Sequence, residues 1–248
     1  MKKVALITGG GRGIGAATAK LAAQSGYDVC FSYVSNDEAA ARVVAACEAE
    51  GAQALAVKSD VARSDEVTTL FEACDARFGR LDLLVNNAGI IGAASSVSKL
   101  PDDVLKRTFE VNVFGAFYCA RAAIPRMALS AGGTGGVIIN ISSMAARIGS
   151  AHEYVHYAAS KGALDSFTIG LSKELGRDGI RVNGIHAGTA DTEIHTLSGN
   201  PDRPQMVADT SPLGRVGLPL DMAEAVIWLA SPKADYITGA TLSVSGGL

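Results

Sequence analysis

The sequence has no surplus of positive charge. Its 22 lysines and arginines face 25 acidic residues, a net charge of −3. A nucleic-acid partner would require a basic footprint, so none is expected. Cysteine is scarce. The four residues, Cys30, Cys47, Cys74 and Cys119, form no CxxC pair, which argues against both a zinc site and a disulfide framework. Buried free thiols in a reducing compartment are expected instead. No uncharged apolar stretch reaches the ~18 residues of a membrane-spanning helix. The apolar run Val4–Ile7 after Met1-Lys2-Lys3 is cut at Gly9, too early for a signal-peptide core, so the expected location is the cytoplasm. The histidines, His152, His156, His186 and His195, lack an HExxH or other metal spacing. No metal is expected, and each is read as a surface or loop residue. Disorder is excluded by a hydrophobic content of 48%.

Glycine, by contrast, is plentiful, at 28 of 248 residues, and it punctuates an alternation of short apolar runs and longer periodic ones. Strands are predicted at Val4–Ile7, Val29–Val34, Ala54–Lys58, Leu81–Val85, Gly136–Ile141, Arg181–His186 and Ala240–Val244. Helices are predicted at Ala16–Gln24, from Ser35 (with Glu38 at capping-box spacing) to Gly51, and at Asp65–Phe78, Pro101–Met127, Tyr157–Glu174 and Asp221–Leu229. The strand runs are continuous rather than alternating, as in a parallel sheet covered on both faces. The expectation is an α/β fold: one Rossmann-type doubly wound parallel sheet with helices on both faces, forming a single domain over 1–248. The segment Thr189–Gly217 is rich in Gly, Pro, Ser and Asp with weak periodicity, and a loop of that length reads as a substrate lid.

Two clusters carry chemistry. The first predicted strand runs into Thr8-Gly9-Gly10-Gly11-Arg12-Gly13-Ile14-Gly15 and then directly into a helix. Glycine lets backbone approach a phosphate, and the helix N-terminus offers unpaired N–H groups and partial positive charge. Tyr157 and Lys161 are four residues apart, so on a helix they share a face. A nearby ammonium favours phenolate over phenol, which would tune Tyr157 toward general acid/base work near neutral pH.

The spacing of TGxxxGxG resembles the cofactor loop of the short-chain dehydrogenase/reductase family. Asn86-Asn87-Ala88-Gly89, Asn112, Ser142-Ser143, Tyr157-Ala158-Ala159-Ser160-Lys161, Thr192 and Gly246-Gly247 follow in the family's order over essentially the whole chain. Within it, the sequence is most similar to the glucose 1-dehydrogenase-like and 3-oxoacyl-reductase-like branch. The resemblance implies an enzyme that moves a hydride between a nicotinamide cofactor and a carbonyl or secondary alcohol. Sugar, 3-oxoacyl and small ketone substrates remain open. A non-catalytic dinucleotide sensor on the same fold is the alternative, although such a protein would be expected to lose Tyr157, Lys161 or the serine.

Residue by residue, the resemblance implies catalytic roles for Asn112, Ser143, Tyr157 and Lys161. Ser143 rather than Ser142 matches the family's spacing and would hold the substrate oxygen against Tyr157. Lys161 would also hold the nicotinamide ribose. Asn112 would kink its helix and hold a water that relays protons. The implied cofactor set is Gly9, Gly11, Arg12, Gly13, Ile14, Gly15, Asp60, Val61, Asn87, Ala88, Gly89, Gly188, Ala190 and Thr192, with Asp60 on the adenine, Asn87 and Gly89 along the adenosine and ribose, and Asn86 locking backbone. One departure stands out: Ala187-Gly188 replaces the family's Pro-Gly, which would loosen the turn over the nicotinamide. The segments Ile90–Lys99 and Thr189–Gly217 would supply the substrate wall, which Ala93, Ala94, Ser95 and Ser96 suggest is uncharged. A homotetramer, with a dimer second, is implied through the helix bearing Ala163, Leu164, Phe167, Ile169 and Leu171.

Cofactor choice can be read from the second strand. NAD-selective enzymes place an acid about 20 residues past the glycines. Here Tyr33, Val34 and Ser35 occupy that place, and Asp37 belongs to the following helix turn. Arg12, Ser35 and Asn36 can instead serve a 2′-phosphate, so NADP is expected over NAD. Dual specificity follows if Arg12 pairs with a surface carboxylate.

Overall fold

A computed structural model describes residues 2–192 and 203–248. Among these, seven strands form one sheet: β1 (Lys3–Ile7), β2 (Tyr27–Tyr33), β3 (Ala54–Lys58), β4 (Leu83–Asn86), β5 (Gly136–Ser143), β6 (Ile180–Ala187) and β7 (Thr241–Val244). Their order is β3-β2-β1-β4-β5-β6-β7, and every pairing is parallel. The helices are α1 (Gly13–Gln24), α2 (Asp37–Ala49), α3 (Ser64–Phe78), α4 (Asp102–Phe109), α5 (Gly115–Met127), α6 (Ala145–Ile148), α7 (Val155–Leu175), α8 (Arg203–Thr210) and α9 (Pro219–Ala230). This is the expected doubly wound sheet. None of the described helices is long and apolar enough to cross a membrane.

Parallel strands are buried on both faces, and the burial pattern shows it: Leu83, Leu84 and Val85 are all fully buried. Alternate residues feed two cores. On one face Ala5, Ile7, Val29 and Phe31 meet Ala19 and Ala22 of α1 and Val226 of α9. On the other, Val4, Leu6 and Ile138 meet Leu70 and Phe71 of α3, Ala123 of α5 and Leu171 of α7. All four cysteines are buried and free, and burial pushes the Cys119 thiol up to about 12.

Several element boundaries differ from expectation. The helix expected from Ser35 begins at Asp37, because Asn36 rather than Ser35 caps it; Asn36 Oδ1 accepts from the Ala39 N–H at 2.9 Å. The long helix expected over Pro101–Met127 is broken into α4 and α5 by a π turn at Glu110–Phe114, and Pro101 precedes its first turn as N-cap. Helices α6 and α8 were not expected at all. They are four and eight residues long, too short for a periodic pattern. His156 and His186, read as surface or loop residues, are 4% and 7% exposed. Each has a polar partner that permits burial, the Ile91 carbonyl for His156 and Asp165 for His186. His195 lies outside the described residues.

Candidate active site

Strand order reverses between β1 and β4, the place where open α/β sheets bind ligands beyond the carboxyl ends of their strands. A cleft of about 590 Å³ opens there. Its floor is the glycine loop between β1 and α1. Gly9 sits at φ +65°, where a side chain would be strained. Gly15 does not line the cleft but lets α1 close on the loop: a Cβ there would lie 2.3 Å from Gly9 O and 2.5 Å from Asn87 Nδ2. No acidic side chain occupies the first turn of α1, so its N-terminal field faces the cleft uncompensated. A close-approach loop below a helix N-terminus fits the phosphates of a dinucleotide.

The residues expected to hold a cofactor, Gly15 apart, come together in space. Gly9, Gly11, Arg12, Gly13, Ile14, Ser35, Asn36, Asp60, Val61, Asn87, Ala88, Gly89, Tyr157, Lys161, Gly188, Ala190 and Thr192 all line this one cleft. No acid stands at the end of β2. Asp37, in the first turn of α2, pairs with Lys58 at 3.3 Å. Two residues are engaged differently from expectation. Asn87 donates its amide to Thr8 O at 2.8 Å and Gly9 O at 3.1 Å, so it locks the glycine loop, while Asn86 bonds Asn140. Asp60 is gripped by Arg107 at 2.6 Å and accepts from the Ala62 N–H. Arg107, also in the cleft wall, went unrecognised because its partner lies 47 positions away.

At the other end of the cleft, β5 delivers Ser143 and α7 delivers Tyr157 and Lys161. Ser143 Oγ accepts from the Ala145 N–H at 3.1 Å and donates to Ala187 O at 3.5 Å, and it lines the cleft together with Tyr157. Ser142 points elsewhere, donating to the Lys161 carbonyl at 3.1 Å. Lys161 is 3% exposed. Its ammonium donates to Ile141 O at 2.7 Å and stands 5.7 Å from the Tyr157 ring centroid. Burial drives the lysine pKa down to about 8, with Asp165 opposing. The lowered tyrosine pKa expected from this lysine is not found. Burial raises it, with Ser143 opposing, while Lys161 lies over the ring and directs its hydrogen bond to the Ile141 carbonyl.

Asn112 sits in the π turn, behind the cleft rather than on it. Its amide donates to Ile90 O and to Ser160 Oγ, both at 2.9 Å, and its oxygen accepts from the Ile90 N–H at 2.8 Å. Ser160 in turn bonds Tyr157 O. Asn112 thus ties the segment after β4 to the turn of α7 that carries Tyr157.

The substrate wall differs in part from expectation. Ala93, Ala94, Ser95 and Ser96 do not reach the cleft, and Ser95 is drawn instead to Glu153 O at 2.8 Å. The cleft here is lined by Ile90, Ile91, Met144, Ile148, Tyr154 and Val207. Ile90, Ile91 and Val207 come from the two segments expected to supply the wall, whereas Met144 follows β5, Ile148 ends α6 and Tyr154 precedes α7. Despite Ala187, the turn after β6 is tethered. Gly188 donates to Val244 O at 2.9 Å, and a Cβ on it would meet Ser245 Cα at 2.7 Å. Thr189 and Asp191 pair with Gly217, which closes the ends of the 189–217 segment; residues 193–202 lie outside the described residues.

Comparison with known proteins agrees with this geometry. Residues 9–248 match the family profile described as enoyl-(acyl carrier protein) reductase. An uncharacterized oxidoreductase, YgfF, of Escherichia coli is 44% identical over 98% of this chain and 99% of its own length. L-rhamnose 1-dehydrogenase (NAD(P)(+)) of a Sphingomonas species is 40% identical over 99% and 96%. Among solved structures, a short-chain dehydrogenase/reductase from Serratia marcescens is 36% identical with a TM-score of 0.90, covering 99% of this chain and 97% of that one. A blue fluorescent protein from a metagenomic library, in complex with NADPH, is 38% identical with a TM-score of 0.89 and the same coverage.

Proposed function

The chain belongs to the short-chain dehydrogenase/reductase family and is a nicotinamide-dependent oxidoreductase; on that footing we propose that it interconverts a small uncharged ketone and its secondary alcohol, with NADP preferred over NAD. The observation that carries the reading is that Ser143, Tyr157 and Lys161 line the same cleft as the glycine loop. The bound dinucleotide supplies or accepts the hydride.

The chain's own residues do the rest. Ser143 and Tyr157 hold the carbonyl oxygen, and Tyr157 gives its proton to the oxygen as negative charge develops there. In the reverse direction Tyr157 takes the alcohol proton. Burial raises its pKa, which favours the protonated phenol that donates to the carbonyl oxygen. Lys161, buried 5.7 Å from the Tyr157 ring centroid, places positive charge beside the phenol and would hold ribose hydroxyls. Asn112 keeps the segment after β4 and α7 in register. The amides of the glycine loop and of α1 would hold the pyrophosphate, with Arg12, Ser35 and Asn36 on a 2′-phosphate. The uncharged wall of Ile90, Ile91, Met144 and Ile148 supports the small ketone among the sugar, 3-oxoacyl and small-ketone classes that the resemblance implies.

We further propose a single cytoplasmic domain with 189–217 as its lid. Val207 and Thr210 of α8 reach the cleft, which supports that reading. Homotetramer assembly is supported by Phe117 and Phe167, stacked 4.0 Å apart between α5 and α7, and by Phe114 and Ile169, both exposed. Leu164 and Leu171 pack inside instead. Light scattering at micromolar concentration tests this, and a monomeric mass would overturn it. Activity is tested by turnover on a panel of ketones and alcohols with both cofactors, beside fluorescence titration of NADPH. Turnover is expected; binding without turnover of any substrate would make the chain a sensor.

A further inference from the structure

Tyr157, Lys161 and Asp165 follow one another at one-turn intervals along α7 and so share a face. The third has no part in the site described above. Its Oδ2 lies 2.8 Å from Nε2 of His186, and the two side chains are 25% and 9% exposed. His186 stands on β6 opposite Ser142 of β5, whose hydroxyl binds the Lys161 carbonyl. The couple therefore lies against the turn of α7 that carries Lys161.

Two atoms in the couple, Asp165 Oδ1 and His186 Nδ1, are buried without a hydrogen-bond partner among the described residues. Such atoms are rare in native proteins and call for a reason. The hydrogen bond accounts for the histidine: with Nε2–H donating to the carboxylate, Nδ1 is a bare lone pair, whereas a second proton there would have no acceptor. The same bond fixes the Asp165 carboxylate by its other oxygen, Oδ2, on the side of α7 that carries Lys161.

Few other charges surround Lys161. Strand β5 carries no titratable side chain, and β6 contributes His186 here. On α4, Asp102, Asp103 and Lys106 are exposed, and Arg107 is bound to Asp60 and Glu110. Arg147 on α6 is exposed, and His156 on α7 turns to Ile91 O. Tyr157 and Tyr154 are the remaining titratable neighbours in the cleft wall. Asp165 is the charge whose field reaches Lys161, and it opposes the burial that would strip the ammonium of its proton.

We propose that Asp165, oriented by His186, is a positioning residue of the Tyr157–Lys161 pair: its carboxylate keeps Lys161 charged, and the histidine holds that carboxylate in place. The proposal rests on the acid–base reading of Tyr157 and Lys161 given above. It is tested on protein labelled with 13C at lysine Cε, with no cofactor added, so that it stands apart from whether any substrate turns over. The Lys161 resonance is assigned by its loss in Lys161→Met. In Asp165→Asn, which keeps the shape but not the charge, the Lys161 titration midpoint should fall by about one pH unit. His186→Ala should move it the same way by less, and His186→Gln, whose amide can still donate, should restore it. The alkaline limb of kcat/KM should move with the midpoint. Circular dichroism establishes folding; if Asp165→Asn fails to fold, the two His186 variants carry the comparison. A Lys161 midpoint that is the same in wild type and the charge-removing or histidine-truncating variants would overturn the proposal. So would activity lowered equally at every pH with no movement of the limb.

Discussion

Replacing Gly15 by alanine probes the packing that shapes the cofactor loop. The added Cβ would lie 2.3 Å from Gly9 O and 2.5 Å from Asn87 Nδ2, both about 1 Å inside normal contact. Neither neighbour is the free end of a flexible chain. Gly9 O is backbone, and the Asn87 amide is fixed by bonds to Thr8 O and Gly9 O at 2.8 and 3.1 Å. Relief therefore requires α1 to back away from the loop or the Asn87 amide to let go. Overpacking of this kind costs about 1–3 kcal/mol, and each hydrogen bond lost adds about 1 kcal/mol. We expect a net loss of about 2–4 kcal/mol, a Tm lower by about 5–15 °C for a chain of this size. NADPH affinity should fall at least about tenfold, because the helix N-terminus no longer addresses the phosphate site. Gly11→Ala in the same loop is the control for stability. Its Cβ meets only Tyr33 Cβ, at 3.3 Å, and Gly11 lacks a left-handed φ, so it should lose less than about 1 kcal/mol. The two variants are compared by thermal melting and fluorescence titration. A Gly15→Ala protein that melts with the wild type and binds NADPH equally well would refute the packing argument.

Three further outcomes are expected. Tyr157→Phe should cut turnover by about 10²–10⁴-fold with cofactor affinity nearly intact; retention of more than about a tenth of the activity would show that Tyr157 is not the acid. Arg12→Ala should lower the NADP-over-NAD ratio of kcat/KM by roughly 10- to 150-fold, the worth of one charge-assisted hydrogen bond; an NAD preference in the wild type, or an unchanged ratio in the variant, would remove Arg12 from that role. His156 has its pKa lowered by burial, so the unfolded chain binds its proton more readily than the folded one. Stability should therefore fall as pH drops below about 6.5, the unfolded histidine value, and the fall should be shallower in His156→Gln when melts are recorded from pH 8 to 5; parallel curves would rule out that contribution.

Features governed by local chain chemistry were legible in the sequence. The run of glycines needs no partner to be recognised, since close approach and positive φ belong to those residues themselves. Tyr157 and Lys161 share a face because helical period alone brings positions four apart together. Continuous apolar runs separated by helical stretches suffice for a parallel sheet covered on both sides. Only the tertiary structure decided what depends on distant partners or on exclusion of water. Asn87 locks the glycine loop from 78 positions away, Arg107 takes Asp60, and His186 reaches Asp165 across the gap between sheet and helix. The direction of the Tyr157 pKa belongs to the same class. The neighbouring lysine argues for a fall, but burial raises it with only Ser143 opposing, and burial is set by how α7 lies against β5 and β6. Desolvation is a property of everything that surrounds a group, so no pair of positions in a sequence can express it.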